Sequence, residues 1–180
     1  AFGLGSGPGT LVTAFGIPLD PEADNSPAFS RSIDDVLKEG PPDVLASGMM
    51  PAILERIDRI KDHVPAGHFK IGLPDFQSPF NLAHAVTGEE ALTAPYLEPD
   101  RFAQLMTIIT DYWIEARELL TDRIGREWLT PMDRTPCLSE CSVNLVSTDM
   151  YNEHILPHDR RIMERYGVIR IHPCSGPHVT

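Results

Sequence analysis

The sequence predicts an α/β fold built on a parallel sheet. Apolar runs rich in β-branched residues alternate along the chain with stretches whose apolar residues recur every three or four positions. Strands that alternate with helices in this way are typical of β-α-β units, in which consecutive strands lie parallel. The length of 180 residues is sufficient for a domain with its own core, and 42% apolar and 23% charged residues are typical of a globular protein.

Composition argues against several kinds of partner and location. The formal net charge of -11 is unsuited to nucleic acid, because binding a phosphate backbone needs clustered Lys and Arg. No apolar run has the length of a membrane span, and the sequence contains no signal-peptide pattern. The odd cysteine count, made up of Cys137, Cys141 and Cys174, is not that of a secreted disulfide scaffold. We therefore expect reduced thiols and a cytoplasmic protein.

We expect residues 1–47 to form a loop-rich N-terminal segment of the same domain as the rest of the chain. Glycines alternate near its start, but no strand precedes them, so the pattern does not indicate a phosphate-binding loop. Residues 10–15 are predicted to form a short strand, and residues 18–42 an irregular excursion over the surface. The chain begins at Ala1 and stops soon after a strand-like run, which leads us to expect part of a longer protein.

Stronger periodicity begins at Gly48. An apolar stripe at helical spacing predicts a helix with Ser47 as its N-cap, and the stripe consists of Ile53, Leu54, Ile57 and Ile60. Residues 68–73 then read as a buried strand, because they are largely apolar and Pro74 ends the run.

The clearest predicted element is a long helix over residues 98–124. Pro99 suits its first turn and Gly125 suits its end. One face is apolar throughout, and it consists of Phe102, Leu105, Met106, Ile109, Trp113, Ala116 and Leu120. Residues 127–132 are predicted to form a short strand, and a further extended segment runs up to Cys137.

A helix and a strand are predicted for the last part of the chain. Ser147 can cap a helix over residues 148–166, and Gly167 can close it. Pro157 should kink that helix or split it in two, because proline lacks the N–H that the helix needs. Residues 168–172 form the last predicted strand.

Polar and thiol side chains follow three of the predicted strands. Residues 72–80, 136–142 and 172–178 each carry such groups directly after an apolar run. In parallel α/β folds, ligands bind at the carboxyl ends of the strands. If these strands are neighbours, the three groups converge on one rim, which is the candidate site.

His172 and Cys174 are candidate metal ligands at the last of these strand ends. Alternate residues of a strand share a face, so an imidazole and a thiolate could bind one zinc ion. Two ligands do not complete a zinc site, and a third could come from Cys137, from Cys141 or from beyond Thr180. The alternative is that Cys174 is a packing residue and that His172 hydrogen-bonds to the backbone.

Three further polar residues are candidates at the mouth of the site. Glu140 lies among small and thiol residues and is a candidate general acid or hydrogen-bond acceptor, unless it is a surface carboxylate. Asp75 and Gln77 are candidates for substrate contact, although an Asp after Pro is also common in turns. The sequence has no Gly-x-Ser-x-Gly elbow, so a hydrolase lacks support.

Four segments share their order and spacing with the motifs of a known family. Residues 73–83, followed by Gly88-Glu89-Glu90, resemble a loop that places Gly-Pro-Phe before a helix. Residues 140–147 and 150–157 resemble an acidic strand end, a Leu-Ser-Pro helix start and a Phe-x-x-Pro-Tyr continuation, and Ala14-Phe15-Gly16 resembles an Ala-Phe-Gly stretch. Together they resemble the uroporphyrinogen decarboxylase superfamily, which includes the decarboxylase and the corrinoid-dependent methyltransferases.

The resemblance implies a (β/α)₈ TIM-type barrel with its site at the C-terminal face, and residues 48–180 would form part of that barrel. In the methyltransferase branch, a His-x-Cys pair and a later Cys bind zinc, which activates a thiol acceptor for methyl transfer from a corrinoid. His172 and Cys174 match the first two ligands. The decarboxylase branch matches less well. Residues 5–9 stand where its catalytic Asp is expected, and Glu140-Cys141 replaces its Asp-Ser pair.

We therefore interpret the sequence as that of a methyltransferase-like enzyme that moves a methyl group between a corrinoid and a thiol or similar acceptor. The substrate would be a small molecule or a corrinoid protein. The assigned residues are His172 and Cys174 for zinc, Glu140 for catalysis, and Asp75, Gln77 and Tyr151 for substrate binding. One alternative is a metal-free carbon–carbon lyase of the decarboxylase type. Another is a metal- or corrinoid-binding module without catalytic turnover.

Overall fold

Short strands and a larger set of helices form the chain in its computed structural model, which describes residues 2–4, 9–23, 26–65 and 67–172. The strands are β1 (Phe2–Gly3), β2 (Leu19–Asp20), β3 (Ser26–Pro27), β4 (Ile71–Gly72), β5 (Cys137–Ser139) and β6 (Arg170–His172). The α-helices are α1 (Ile33–Glu39), α2 (Met50–His63), α3 (Pro79–Thr87), α4 (Glu90–Leu97), α5 (Pro99–Ile124), α6 (Thr148–Met150) and α7 (Leu156–Tyr166). Short 3₁₀ helices occupy Leu11–Phe15, Pro21–Ala23, Met132–Arg134 and Ser142–Leu145, and a π-helical turn, Tyr151–Ile155, joins α6 to α7.

The strand pairs between residues distant in the sequence are parallel, as the sequence predicts. β4 pairs with β1 so that Ile71 lies opposite Phe2, and Ile71 also forms a parallel bridge to Leu129. β5 pairs with β6, with Ser139 opposite His172. A small antiparallel hairpin of β2 and β3 is the remaining pair within the described residues. Because helices lie between the parallel partners in the chain, the predicted β-α-β arrangement is confirmed.

Helix α5 forms the centre of the core. Its predicted bounds, 98–124, are confirmed to within one residue, and the N–H of Gly125 donates to the Thr121 carbonyl at its end. The side chains that it buries are Phe102, Leu105, Met106, Ile109, Thr110, Tyr112, Trp113, Ala116, Arg117, Leu120 and Ile124. Helices α1, α3 and α4 pack against it. No helix within the described ranges combines the length and the apolarity needed to cross a bilayer.

The predicted helix over residues 148–166 is confirmed, and it is interrupted as predicted. The Ser147 hydroxyl caps α6 by accepting a hydrogen bond from the Met150 N–H. The π-helical turn follows, and Pro157 lies in the first turn of α7. Proline is tolerated there because the N–H groups of a first turn need no partner within their own helix. Gly167 ends α7 with a φ of +80°.

The N-terminal part differs from the sequence predictions in two places. Residues 10–15 contain a 3₁₀ helix and not a strand, and its Leu11, Val12 and Phe15 are all buried. Residues 18–42 are not wholly irregular, since they contain the β2–β3 hairpin and α1. The Ser32 hydroxyl caps α1 by accepting a hydrogen bond from the Asp35 N–H.

Element bounds also differ in the middle of the chain. Ser47 does not cap α2, because the helix begins later and Met49 occupies the N-cap position. The strand predicted over residues 68–73 is reduced to β4, and residues 127–132 form only the single bridge at Leu129. The flanking residues do not extend these strands, since Trp128 lies in a turn and Met132 begins a 3₁₀ helix.

Candidate active site

The loops that follow β4 and β5 meet beside the end of β6. The backbone N–H of Ser78 donates to the carbonyl of Ser139 at 3.2 Å, and the side chain of Asn81 donates to the same carbonyl at 2.6 Å. The backbone N–H of Glu140 donates to the carbonyl of His172 at 3.0 Å. The first two predicted strand ends and His172 of the third therefore converge as predicted, while residues 173–178 lie outside the described residues.

A cleft of about 300 Å³ lies on one face of β5 and β6. Cys137, Ser139, Arg170 and His172 line it from alternate positions of the two strands. The rest of the lining comes from the loops around it and from α5, and consists of Leu73, Pro74, Asp75, Phe76, Arg117, Met132, Asp133 and Thr135. The volume is at the lower end of the range for small-molecule sites, which begins at about 300 Å³.

Two of the sequence-predicted site residues, Asp75 and His172, line this cleft. Cys174, the second predicted zinc ligand, lies outside the described residues. Cys137 is a free thiol on the same strand face as His172. Cys141 is disulfide-bonded, contrary to the expectation of reduced thiols, so in this state it offers no thiolate to a metal.

The loop after β4 is held in a strained turn. One oxygen of the Asp75 carboxylate accepts a hydrogen bond from the Gln77 N–H at 3.0 Å, and Gln77 has a φ of +51°. Such a φ is rare outside glycine, and here the core holds it in place. The indole N–H of Trp113 donates to the carbonyls of Phe76 at 3.2 Å and Gln77 at 3.1 Å. Gln77 therefore sets the course of the loop through its backbone.

Glu140 is buried away from the cleft lining, in a cluster of four polar side chains. The Ser78 hydroxyl donates to Oε2 of Glu140 at 2.9 Å. The Tyr151 hydroxyl donates to Oδ2 of Asp159 at 2.9 Å, and the carboxyl groups of Asp159 and Glu140 lie within hydrogen-bonding reach of each other. Glu140 and Asp159 are each only 3% exposed. The alternative that Glu140 is a surface carboxylate is therefore excluded, while its catalytic role stays a prediction. Tyr151, predicted to bind substrate, belongs to this cluster.

Burial raises the pKa of both carboxyl groups in the cluster. The pKa of Glu140 rises to about 8, chiefly through burial and then through the charge of Asp159, against the Ser78 hydrogen bond. Burial raises the pKa of Asp159 to about 6, while hydrogen bonds from Tyr151 and Glu140 act in the opposite direction. Oε1 of Glu140 and Oδ1 of Asp159 receive no hydrogen bond from a described donor group. One proton shared between the two carboxyl groups would satisfy both of these oxygens.

The sequence analysis missed three residues of the site. Arg117 lines the cleft, and Ser78 and Asp159 belong to the cluster around Glu140. Ser78 is recognisable afterwards as the N-cap of α3, where it also accepts a hydrogen bond from the Asn81 N–H. Asp159 and Arg117 lie on helices whose charged residues usually face solvent, so no local pattern distinguishes them. Only packing against other elements places them inside.

The family model for uroporphyrinogen decarboxylase (URO-D) matches residues 2–177. The chain belongs to this family. No curated protein and no solved structure is significantly similar to it.

Membership of the uroporphyrinogen decarboxylase family accounts for the arrangement of the strands. The family fold is a (β/α)₈ barrel, in which parallel strands line the interior and the functional groups lie at their carboxyl ends. The two parallel pairs here, β1 with β4 and β5 with β6, are consistent with part of such a barrel. Asp75, Glu140 and His172 each lie at or just after the carboxyl end of one of these strands. Family members are generally enzymes, which supports an enzymatic role.

Of the two predicted zinc ligands, only His172 lies within the described residues. No three His, Cys, Asp or Glu side chains within the described ranges lie close enough together to hold a metal ion. The His172 side chain is nevertheless exposed at the cleft, and an imidazole there is a suitable zinc ligand. A complete zinc site therefore depends on Cys174 and on at least one further donor.

Proposed function

We propose that the chain acts as a methyltransferase that moves a methyl group between a corrinoid and a thiol, with zinc held by His172 and Cys174. The observation that supports this most directly is the position of His172, which lines the cleft at the carboxyl end of β6. Cys174 follows two positions later in the sequence, which is the ligand spacing of the methyltransferase branch.

The chemistry requires a nucleophilic thiolate at neutral pH. Zinc with an open coordination position stabilises a bound thiolate and so supplies that nucleophile. The chain itself would contribute the cleft that receives the acceptor, the imidazole of His172 as a ligand and the Asp75 carboxylate in the lining of the same cleft. The hydrogen bond from the Glu140 N–H to the His172 carbonyl holds the backbone of His172 against β5.

We expect reduced protein to bind about one zinc ion per chain and the variants His172→Ala and Cys174→Ser to lose most of it. Removing one of the few ligands typically weakens zinc binding by far more than tenfold, because each ligand bond is strong. Metal content after dialysis measures this, and His68→Ala, at an exposed position on a loop, is the matched control. Methyl transfer from a methylated corrinoid to a thiol such as 2-mercaptoethanol should fall in parallel.

Two results of this experiment would contradict the proposal. Full zinc content in both His172→Ala and Cys174→Ser would remove these residues from the site. Stoichiometric zinc without methyl transfer to any thiol tested would indicate a metal-binding module without turnover. The variant Cys137→Ser tests whether Cys137 is the third ligand, because Cys137 lines the same cleft and its loss would then remove the zinc.

A carbon–carbon lyase of the decarboxylase type is a second candidate, and the state of Glu140 favours it. Decarboxylation leaves a carbanion that must be protonated, and a carboxyl group with a pKa of about 8 retains its proton at neutral pH. The Glu140 side chain does not line the cleft, so it would have to pass this proton to the substrate through a group that does. Release of carbon dioxide from a porphyrinogen by metal-free protein, lost in Glu140→Gln, would support this function over methyl transfer.

A further inference from the structure

Two arginine side chains line the cleft without a carboxylate partner. Arg117 comes from α5 and Arg170 from β6. Neither takes part in any of the ion pairs formed within the described residues. Arg117 is only 4% exposed, and a buried guanidinium without a counter-ion is costly in free energy. Arg170 is partly buried in the same cleft, so two guanidinium groups without a counter-ion there need an explanation.

Backbone carbonyls use only part of the donor capacity of these arginines. One terminal nitrogen of Arg117 donates to the carbonyl of Asp133. One terminal nitrogen of Arg170 donates to the carbonyls of Met132 at 2.8 Å and Thr135 at 3.4 Å. The Nε atoms of both arginines are buried and have no hydrogen-bond partner among the described residues. Each guanidinium has five N–H donors, so both keep capacity for an acceptor.

Aromatic rings hold Arg117 in place. The central carbon of its guanidinium lies 5.9 Å from the centre of the Trp113 ring and 5.6 Å from that of Tyr166. Cation–π contacts of this kind fix the orientation of a guanidinium and offset part of its burial. The group is thus pre-organised, which lowers the entropic cost of binding a ligand.

Arg117 and Arg170 line the same cleft, and the charge of each is felt at the other. Burial is the main cause that lowers the pKa of Arg117, and the charge of Arg170 acts in the same direction, whereas Tyr166, Asp133 and Cys137 oppose it. The Asp133 carboxylate is already engaged, since it accepts hydrogen bonds from the Leu73 N–H and the Thr130 hydroxyl. Arg117 and Arg170 therefore form a cation pair whose charge the nearby carboxylate does not neutralise by direct contact.

We propose that Arg117 and Arg170 together bind the carboxylate of a small organic substrate in the cleft. Guanidinium groups form charge-assisted, often bidentate hydrogen bonds to carboxylates, which suits donors held in a fixed orientation. His172 lines the same cleft, so a molecule bound by its carboxylate lies beside the proposed metal ligand. The inference rests on the proposed function only in taking this cleft as the substrate site, and it requires neither zinc nor a corrinoid.

The experiment compares butyrate with its neutral counterpart butyramide on metal-free, reduced protein. NMR titration at low ionic strength gives the dissociation constants for the full chain and for Arg170→Gln, Arg117→Gln and Arg117→Lys. Arg126→Gln removes the same charge at an exposed position and is the matched control. We expect butyrate to bind at least about tenfold more weakly to Arg170→Gln and Arg117→Gln than to the control, since a hydrogen bond to a charged group is worth about that factor or more.

Butyrate affinity is measured on metal-free protein, so its result does not depend on whether the chain binds zinc. Equal butyrate affinity in Arg170→Gln and Arg126→Gln would overturn the proposal, as would butyramide binding as tightly as butyrate. Inorganic phosphate binding more tightly than butyrate through the same arginines would overturn the assignment to a carboxylate. Arg170→Gln is the deciding variant if Arg117→Gln does not fold, because Arg170 is less buried than Arg117. Arg117→Lys keeps the charge but not the planar fork, so it should bind butyrate more weakly than the unaltered chain.

Discussion

Replacing Trp113 by alanine is expected to lower the free energy of unfolding by about 3–5 kcal/mol, the largest stability loss expected of a single substitution in this chain. Trp113 is fully buried on α5. Its ring lies edge-on to Phe76, with centres 5.5 Å apart, and also contacts Tyr166 and the guanidinium of Arg117. The substitution leaves a large cavity in the centre of the core, and the surrounding helices cannot close it completely.

The effect should extend to the cleft, because Trp113 also holds the loop after β4. Its indole N–H is the donor to the carbonyls of Phe76 and Gln77, and Gln77 has the unfavourable positive φ. Trp113→Phe fills much of the space but lacks the N–H, so we expect an intermediate loss of roughly 1–3 kcal/mol.

Urea unfolding followed by circular dichroism measures the effects of the Trp113 substitutions. Leu97→Ala is the control, since Leu97 is 76% exposed and should change the free energy of unfolding by less than about 0.5 kcal/mol. A loss below about 1 kcal/mol in Trp113→Ala would show that α5 is not the centre of the core.

Long periodic elements and strand ends could be predicted from the sequence, for physical reasons that the structure makes visible. Helix α5 buries one continuous face, so its period is repeated often enough to define its bounds. Asp75 and His172 reach one cleft because parallel strands bring their carboxyl ends to the same rim. The helical period predicts the bounds of α5, and the parallel topology predicts the position of Asp75 and His172, so both predictions agree with the structure.

Short elements and the partners of the buried charges could not be predicted in the same way. Leu11–Phe15 is too short for its period to differ from that of a strand, and only its burial decides between them. Glu140 and Asp159 are 19 residues apart in the chain, and the π-helical turn before α7 helps to set which residues of α7 face β5. No spacing rule links such residues. Their pairing follows from tertiary packing alone.

The buried Glu140–Asp159 pair is expected to make the protein less stable as the pH rises. Glu140 has an ordinary pKa of 4.5 and a folded-state pKa of about 8, so between these values the folded chain holds a proton that the unfolded chain has released. Stability falls with pH wherever the folded state binds more protons. Asp159 adds to the loss at lower pH, because its pKa rises from 3.8 to about 6. The contribution is therefore fully present below about pH 4 and is lost by about pH 8.

Glu140→Gln isolates this effect. Glutamine resembles the protonated acid, and its amide N–H can donate to Asp159 at every pH, so the variant and the unaltered chain should be similarly stable at pH 5. Above pH 8 the unaltered chain must hold two negative charges in a buried site. We therefore expect Glu140→Gln to be more stable there by at least roughly 1–2 kcal/mol, the equivalent of about one pKa unit, because burial and then the charge of Asp159 oppose ionisation of Glu140.

Urea midpoints measured from pH 5 to pH 9 test this expectation. Glu164→Gln makes the same chemical change at an exposed position on α7, and its stability should follow that of the unaltered chain at each pH. The double variant Glu140→Gln/Asp159→Asn should depend least on pH, because neither group can titrate. Parallel curves for Glu140→Gln and the unaltered chain would show that the two carboxyl groups do not share a proton. In that case Glu140 would be ionised at neutral pH, and its proposed service as a proton donor in a lyase would fail with it.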